Sequence, residues 1–557
     1  MADTLPEWLS YTPENQLEKP VDTKITGKIP QWLTGTLYRN GSGLFKVGET
    51  TVDHLFDGLA VLHKFTVKDG KVQYQSKLLD SETLAKCLKA NRLVVGQFAT
   101  AAYPDPCKSI FTRFFSYFTP KDTDNTAVNI VPHGDMLLAM TETSTINIID
   151  PETITKKDSI PLGQYVAVHL ATAHPHTDFD GTMYNLATTF KQKQAYSIVK
   201  IPPQEKEGDN PFKRASLVST IPSRWKVNIS YNHSFGMSEN YFVVLEQTLV
   251  ANLLKLSVMK LVELHLKNAW ISIPTKKAQQ DLIVLQIHRE FTIKLLKQLG
   301  WLLNCEKSEL TPTHRLQFIG AVFDTEQAML FVPKDREMVT TRYTTDSFFC
   351  FHFINCYEEN GHVVIDLCGY VRAETVRDLY LDSVKHIGLN KWANPQVRRY
   401  VLPLDVEKAE SGKNLVTLAD TSATAVKQPD GSIYCSPDYI TGDSSNAVLM
   451  ELPRINYAYN TKKYRYVYGT DFLVEKAKLT KLDLKTKTCI HWAAEDLDQP
   501  GEPVFIARPD GTEEDDGIIL SPVLPTKPGR KAFLLVLDGK TLKELARAET
   551  PLAETPL

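Results

Sequence analysis

His174 in ATAHPH, His233 in YNHSFGM and His352 in CFHFIN stand in three short apolar or aromatic stretches, far apart in the chain. Neutral imidazole is the commonest protein ligand for iron and zinc. Three such side chains brought together by folding can hold one metal and leave positions open for chemistry at the ion. Any one of them alone reads as a structural histidine, since the chain has 14 His in all. The chemistry therefore depends on whether the chain between them converges short strands on one point.

Most of the chain reads that way. HGDMLLAMTET, STINIID, YFVVLEQ, HVVIDLCGY, GSIYCS, TKLDLKTKTCIHW and KAFLLVLDGKT are short strand-like stretches set off by Gly, Asn, Asp and Pro, and several alternate polar and apolar residues. Such spacing predicts an all-β sandwich, barrel or propeller. One block departs from it. Over 279–303, Leu282, Leu285, Ile287, Phe291, Leu295, Leu296 and Leu299 recur at helical spacing.

The chain has 557 residues, 43% hydrophobic and 23% charged, with formal net charge −3. This is an ordinary globular balance, and nothing in it argues for a nucleic-acid partner. The opening MADTLPEWLSYTPENQLEKP lacks the apolar core of a signal peptide. No apolar run approaches the roughly 18–20 residues of a spanning helix. Eight scattered Cys without a CxxC pair predict reduced thiols and a cytoplasmic protein. YPDPCKSIFTRFFSYF, at 103–118, sets Phe111, Phe114, Phe115, Tyr117 and Phe118 beside Lys108 and Arg113. Rings and cations so mixed suit a bilayer interface, and Cys107 sits where lipidation is chemically open.

Longer words place the chain in a family. GTLYRNGSGLFKVG (35–48), HLFDGLAVLHKF (54–65), YVAVHLATAHPH (165–176), YNHSFGMSENYFVVLEQ (231–247), FHFINCYEENGHVVIDL (351–367), MELPRINY (450–457) and GEPVFIARPDGTEEDDGIILS (501–521) resemble the carotenoid cleavage oxygenases. The animal branch, with the carotene oxygenases and the retinal pigment epithelium isomerohydrolase, is closest. The resemblance implies one domain over 1–557, a seven-bladed β-propeller with a helical and loop cap. It implies Fe(II) held by four histidines without a directly bound carboxylate, and His174, His233 and His352 match the first three. It places Glu142, Glu451 and Glu502 behind the imidazoles as acceptors that fix the rings, and Phe98 on the substrate tunnel. It also implies that the 103–118 patch, with Cys107, Phe111, Phe114, Phe115 and Phe118, meets a membrane surface peripherally around the tunnel mouth. The implied reaction adds O2 across a carotenoid double bond, giving apocarotenal or retinal products. Isomerohydrolysis of a retinyl ester, or carotenoid binding by a catalytically impaired relative, are the alternatives.

Two departures accompany the match. The family's fourth His comes in a final FHG-type word after ARAE, where this sequence reads LARAETPLAETPL. Three ligands and reduced cleavage are therefore expected. The block at 276–335 includes LGWLLNCEKSELTPTHRLQFIGAVFDT, which resembles a stretch of retroelement reverse transcriptase and reads as a foreign insertion within a blade. His176, two residues from His174 in the same word, reads as a residue supporting the ligands or as structural, and His169, His362 and His491 match no ligand word and read as structural.

Overall fold

The computed structural model describes residues 5–108, 123–190, 194–225, 228–252, 270–272, 280–286, 315–318, 321–324, 329–331, 340–385, 395–471, 473–495 and 497–551. Turn chemistry sets the hairpins. Asp69 and Gly70 take φ of 51° and 73°, and Asn360 and Gly361 take 46° and 74°. Positive φ at both central residues is the type I′ turn, whose twist matches that of paired strands. These turns join Leu59–Lys68 to Lys71–Leu78 and Phe349–Glu359 to His362–Tyr370. Every residue of His362–Tyr370 is buried, as expected of a strand covered on both faces.

The antiparallel sheets follow one another along the chain and pack face to face. Ala60 and Leu62 of the first sheet meet Leu137 and Ala139 of the second. Leu138 and Ile160 of the second meet Met183 and Val199 of the third. Leu534 and Val536 of the last sheet return to Phe65 and Val67 of the first. Stacking that comes back to its start is a closed ring of blades. The strand Lys24–Gly27 pairs with Glu544–Glu549, from Lys24↔Glu549 to Gly27↔Ala546, so an N-terminal strand completes the last sheet. This clasp removes an open edge and ties the ring. The all-β propeller is thus built mostly from hairpins that pair locally, with one parallel pairing at Tyr343↔Ile433 and Thr344↔Tyr434, and it closes once.

Helices lie outside the sheets. In Glu82–Ala90, the Ser81 hydroxyl accepts from Leu84 N at 3.0 Å, and Asn91 ends the helix in the left-handed region. Its Leu84, Cys87 and Ala90 are buried, with Leu84 and Cys87 packing into the cluster that holds Phe351 and Leu379. Ala373–Leu379 and Leu381–Val384 bury into the same cluster. Among the described residues no helix is long and apolar enough to cross a membrane.

The helical spacing expected over 279–303 fails at its start. Gln280–Gln286 is a strand, paired with Tyr241–Glu246 on one side and Thr340–Thr345 on the other. Leu282 to Leu285 is an unbroken apolar run, which suits a strand flanked on both sides as well as it suits a helix. Ile287, Phe291, Leu295, Leu296 and Leu299 lie outside the described residues.

Candidate metal centre

The three histidines come from edge segments of separate sheets. His174 lies between Leu170–Ala171 and His176–Thr177, both paired to Met183–Thr189. His233 precedes Gly236–Met237, which pairs with Tyr241–Glu246. His352 lies in Phe349–Glu359, where the register with His362–Tyr370 shifts between Cys350 and Phe353. Such an irregularity re-aims one side chain without ending the strand.

The rings converge. His174 Nε2 is 2.8 Å from His233 Nε2, which is 3.2 Å from His352 Nε2. One ligand atom from each lies within 4.8 Å of the others. Behind two of the rings stand carboxylates. His233 Nδ1 lies 2.5 Å from Glu142 Oε1, and His352 Nδ1 lies 2.6 Å from Glu451 Oε2. A carboxylate accepts, so each Nδ1 carries the hydrogen and each Nε2 turns a lone pair toward the shared point. A metal cation is what such a donor set fits. Burial, reinforced by His233 and His352, holds His174 well below its ordinary pKa and so in the neutral form a metal needs. At His352 burial acts in the same direction but Glu451 outweighs it, and the pKa is raised.

Each carboxylate is held in turn by a buried tyrosine. Tyr231 OH donates to Glu142 Oε1 at 2.7 Å, and Tyr370 OH donates to Glu451 Oε1 at 2.9 Å. Burial, then the adjacent carboxylate, raises both phenols well above their usual value, so both remain donors. Sequence reasoning missed these two residues. Tyr231 had a faint signal, since it stands two positions before His233, the spacing that shares a face where a chain is extended. Tyr370 had none.

Glu502 stands apart from the other two glutamates. Its carboxylate takes Arg39 Nη1 at 2.9 Å and Arg454 Nε at 2.9 Å, rather than hydrogen-bonding any of the three imidazoles. Burial alone would raise its pKa, but the two guanidiniums pull it down to about 2. His176, read as structural, donates from Nε2 to Phe235 O at 2.9 Å.

A cavity of about 650 Å³ opens on the three histidines. Leu55, Phe56, Phe98, Phe351 and Leu379 give it an apolar wall. Phe98 packs its ring 6.0 Å from Phe56 and 6.0 Å from Tyr231. Cys107 is exposed, with its Sγ 3.8 Å from the Lys89 carbonyl. Phe111, Phe114, Phe115 and Phe118 lie outside the described residues.

Convergent imidazoles on a closed propeller, under an aromatic cavity, define a class that sequence comparison makes definite. The model of the retinal pigment epithelial membrane protein family matches residues 11–297 and 311–556, and the chain belongs to that family of carotenoid oxygenases. Among its relatives is human β,β-carotene 15,15′-dioxygenase, 39% identical over 551 residues, covering 96% of this chain and 90% of that protein. The β,β-carotene 15,15′-dioxygenase of Gallus gallus is 39% identical over 545 residues, covering 95% and 93%. The cobalt-substituted apocarotenoid oxygenase of Synechocystis superposes with a TM-score of 0.66 at 19% identity, over 98% of this chain and 96% of that one. That likeness shows the fold.

Proposed function

We infer that this protein cleaves a carotenoid double bond oxidatively, with Fe(II) held by His174, His233 and His352 and two carbonyl compounds as products. The observation that carries the reading is the meeting of three Nε2 atoms, two of them on imidazoles oriented by carboxylates, on the wall of a largely apolar cavity. Kinship to the β,β-carotene dioxygenases gives the substrate class. When bound, ferrous iron activates dioxygen toward the polyene. The remaining work falls to the chain. Glu142 and Glu451 fix the rings through Nδ1, and Tyr231 and Tyr370 fix the carboxylates. Phe56, Phe98 and Phe351 offer faces along which a conjugated chain lies and from which water is excluded. Adding O2 across one C=C yields two C=O with no proton gained or lost, so the site requires positioning and dryness rather than a general acid or base.

The test offers β-carotene and a retinyl ester in turn to the iron-loaded protein. Aldehydes from β-carotene, with the ester untouched, are expected. Retinol from the ester, with no aldehyde from β-carotene, would make the protein an isomerohydrolase instead.

We also propose that the protein is cytoplasmic and meets membranes peripherally through the 103–118 segment and its neighbours. Leu88, close to that segment, and Tyr103 within it are 44% and 40% exposed, and the exposed Lys86, Lys89 and Lys108 lie there too, Lys86 paired with Glu82 and Lys108 with Asp105. Each phenylalanine ring buried in lipid contributes roughly 1.5–3 kcal/mol. Changing Phe114 and Phe115 together to Ser is therefore expected to release the protein from liposomes in a flotation assay. Unchanged flotation would remove the patch from the account.

The block expected over 276–335 is proposed to be an insertion within one blade; since Gln280–Gln286 pairs directly with Thr340–Thr345 as a strand of that sheet, the inserted part is proposed to begin after Gln286. A longer loop between such neighbours costs only about 0.6 kcal/mol per doubling of length.

A further inference from the structure

The HLFDG word at 54–58 carries two buried ionisable side chains that the metal centre does not use. His54 and Asp57 are both 0% exposed. They bracket a single turn, Leu55–Asp57, whose Leu55 and Phe56 face the cavity. Asp57 Oδ2 accepts the Thr100 hydroxyl at 2.6 Å and Ala99 N at 3.1 Å. The same Thr100 hydroxyl accepts Asp53 N at 2.8 Å. These bonds tie the turn to the segment Gly96–Phe98, the next part of the cavity wall. On the other side His54 Nε2 donates to Val376 O at 2.9 Å, and its Nδ1 accepts Phe56 N at 3.2 Å. Val376 belongs to Ala373–Leu379, whose Leu379 is a third part of the wall.

Three wall segments distant in sequence thus meet at one polar turn. Burying a carboxylate and an imidazole is costly unless their bonds are needed. Neither side chain touches the histidine cluster through any of these bonds. What they fix is the relative placement of Phe56, Phe98 and Leu379, all three of which line the cavity.

We propose that His54 and Asp57 are positioning residues that set the shape of the substrate cavity and so determine which double bond of a polyene reaches the metal centre. The proposal rests on the reading of the protein as polyene-cleaving. A polyene presents many near-identical double bonds, so selection among them depends on how far the chain can slide. A rigid wall limits sliding. A misplacement of about 1 Å far from the chemistry can cost on the order of 100-fold in rate.

The experiment uses iron-loaded full chain and β-carotene in detergent micelles, with Asp57→Asn, Thr100→Val and Thr100→Ser as variants. The valine keeps the shape of threonine and removes its hydroxyl, and the serine restores the hydroxyl. Asp57→Asn and Thr100→Val are expected to keep the parent's iron content, to lose about 10- to 100-fold in kcat/KM, and to release aldehydes of unequal length beside the parent's products. Thr100→Ser is expected to recover the parent's product pattern. Parent-like kcat/KM and products in both Asp57→Asn and Thr100→Val would overturn the proposal, as would loss of iron together with activity. If the parent itself forms no aldehyde, the functional reading fails and β-carotene binding, followed by quenching of tryptophan fluorescence, decides. About tenfold weaker binding in Asp57→Asn then supports the shaping role, and equal binding overturns it.

Discussion

Replacing His352 by Ala is expected to abolish iron binding and polyene cleavage together. Two imidazoles remain, too few to hold the ion against water. The change also strips Glu451 of the donor at 2.6 Å that opposes its burial. Glu451 is 3% exposed and, among the described residues, would keep Tyr370 OH and Leu452 N as hydrogen-bond donors. Leaving a buried group under-satisfied costs about 1–3 kcal/mol, so the melting temperature is expected to fall as well. His174→Ala and His233→Ala should lose the ion to the same degree. Elemental analysis of purified protein checks all three, and iron at the parent's stoichiometry in His352→Ala would remove that residue from the centre.

The second large effect separates the three glutamates. Glu451→Gln and Glu142→Gln keep the shape of the side chain but replace a charged acceptor for imidazole N–H by a weaker neutral one. Losses at such outer positions run to about 10–100-fold in metal affinity or activity. Glu502→Gln is expected to behave differently, because its carboxylate serves Arg39 and Arg454. Its removal leaves two guanidiniums facing each other without their shared counter-charge, which lowers stability while iron affinity changes least of the three. A chelator competition titration across the three variants, read beside their thermal midpoints, tests the order. Equal loss of iron affinity at all three positions would place Glu502 behind an imidazole after all.

The parts of this arrangement legible in sequence were those written in local words. Each of the three histidines has its own recognisable context, and the short strands between Gly, Asn and Asp turns announce an all-β chain. The type I′ pairs at Asp69-Gly70 and Asn360-Gly361 show why that punctuation is informative. Contacts made only by the closed ring were not legible. Tyr231 is 89 positions from Glu142, and Tyr370 is 81 from Glu451, so neither pair leaves a trace in spacing. The arginines on Glu502 come from two other sheets, one of them 463 positions away. The helical reading near Leu282 failed for a different reason. A run of four apolar residues has no period, and what decided its structure was the presence of a strand on each side.

The same holds for the buried pair in HLFDG, whose role is not legible in the sequence. Its turn is local, but the value of His54 and Asp57 lies in carbonyl, amide and hydroxyl partners at Val376, Ala99 and Thr100. Side chains that bind backbone at distant points carry no pattern of their own in the sequence.

The most direct test of the metal centre is anomalous diffraction at the iron edge from crystals of the iron-loaded protein. A single strong peak bonded to Nε2 of His174, His233 and His352 is predicted, with Glu142 and Glu451 still on the Nδ1 atoms of His233 and His352. A peak elsewhere in the molecule, or none at the three imidazoles in protein that cleaves β-carotene, would contradict the account.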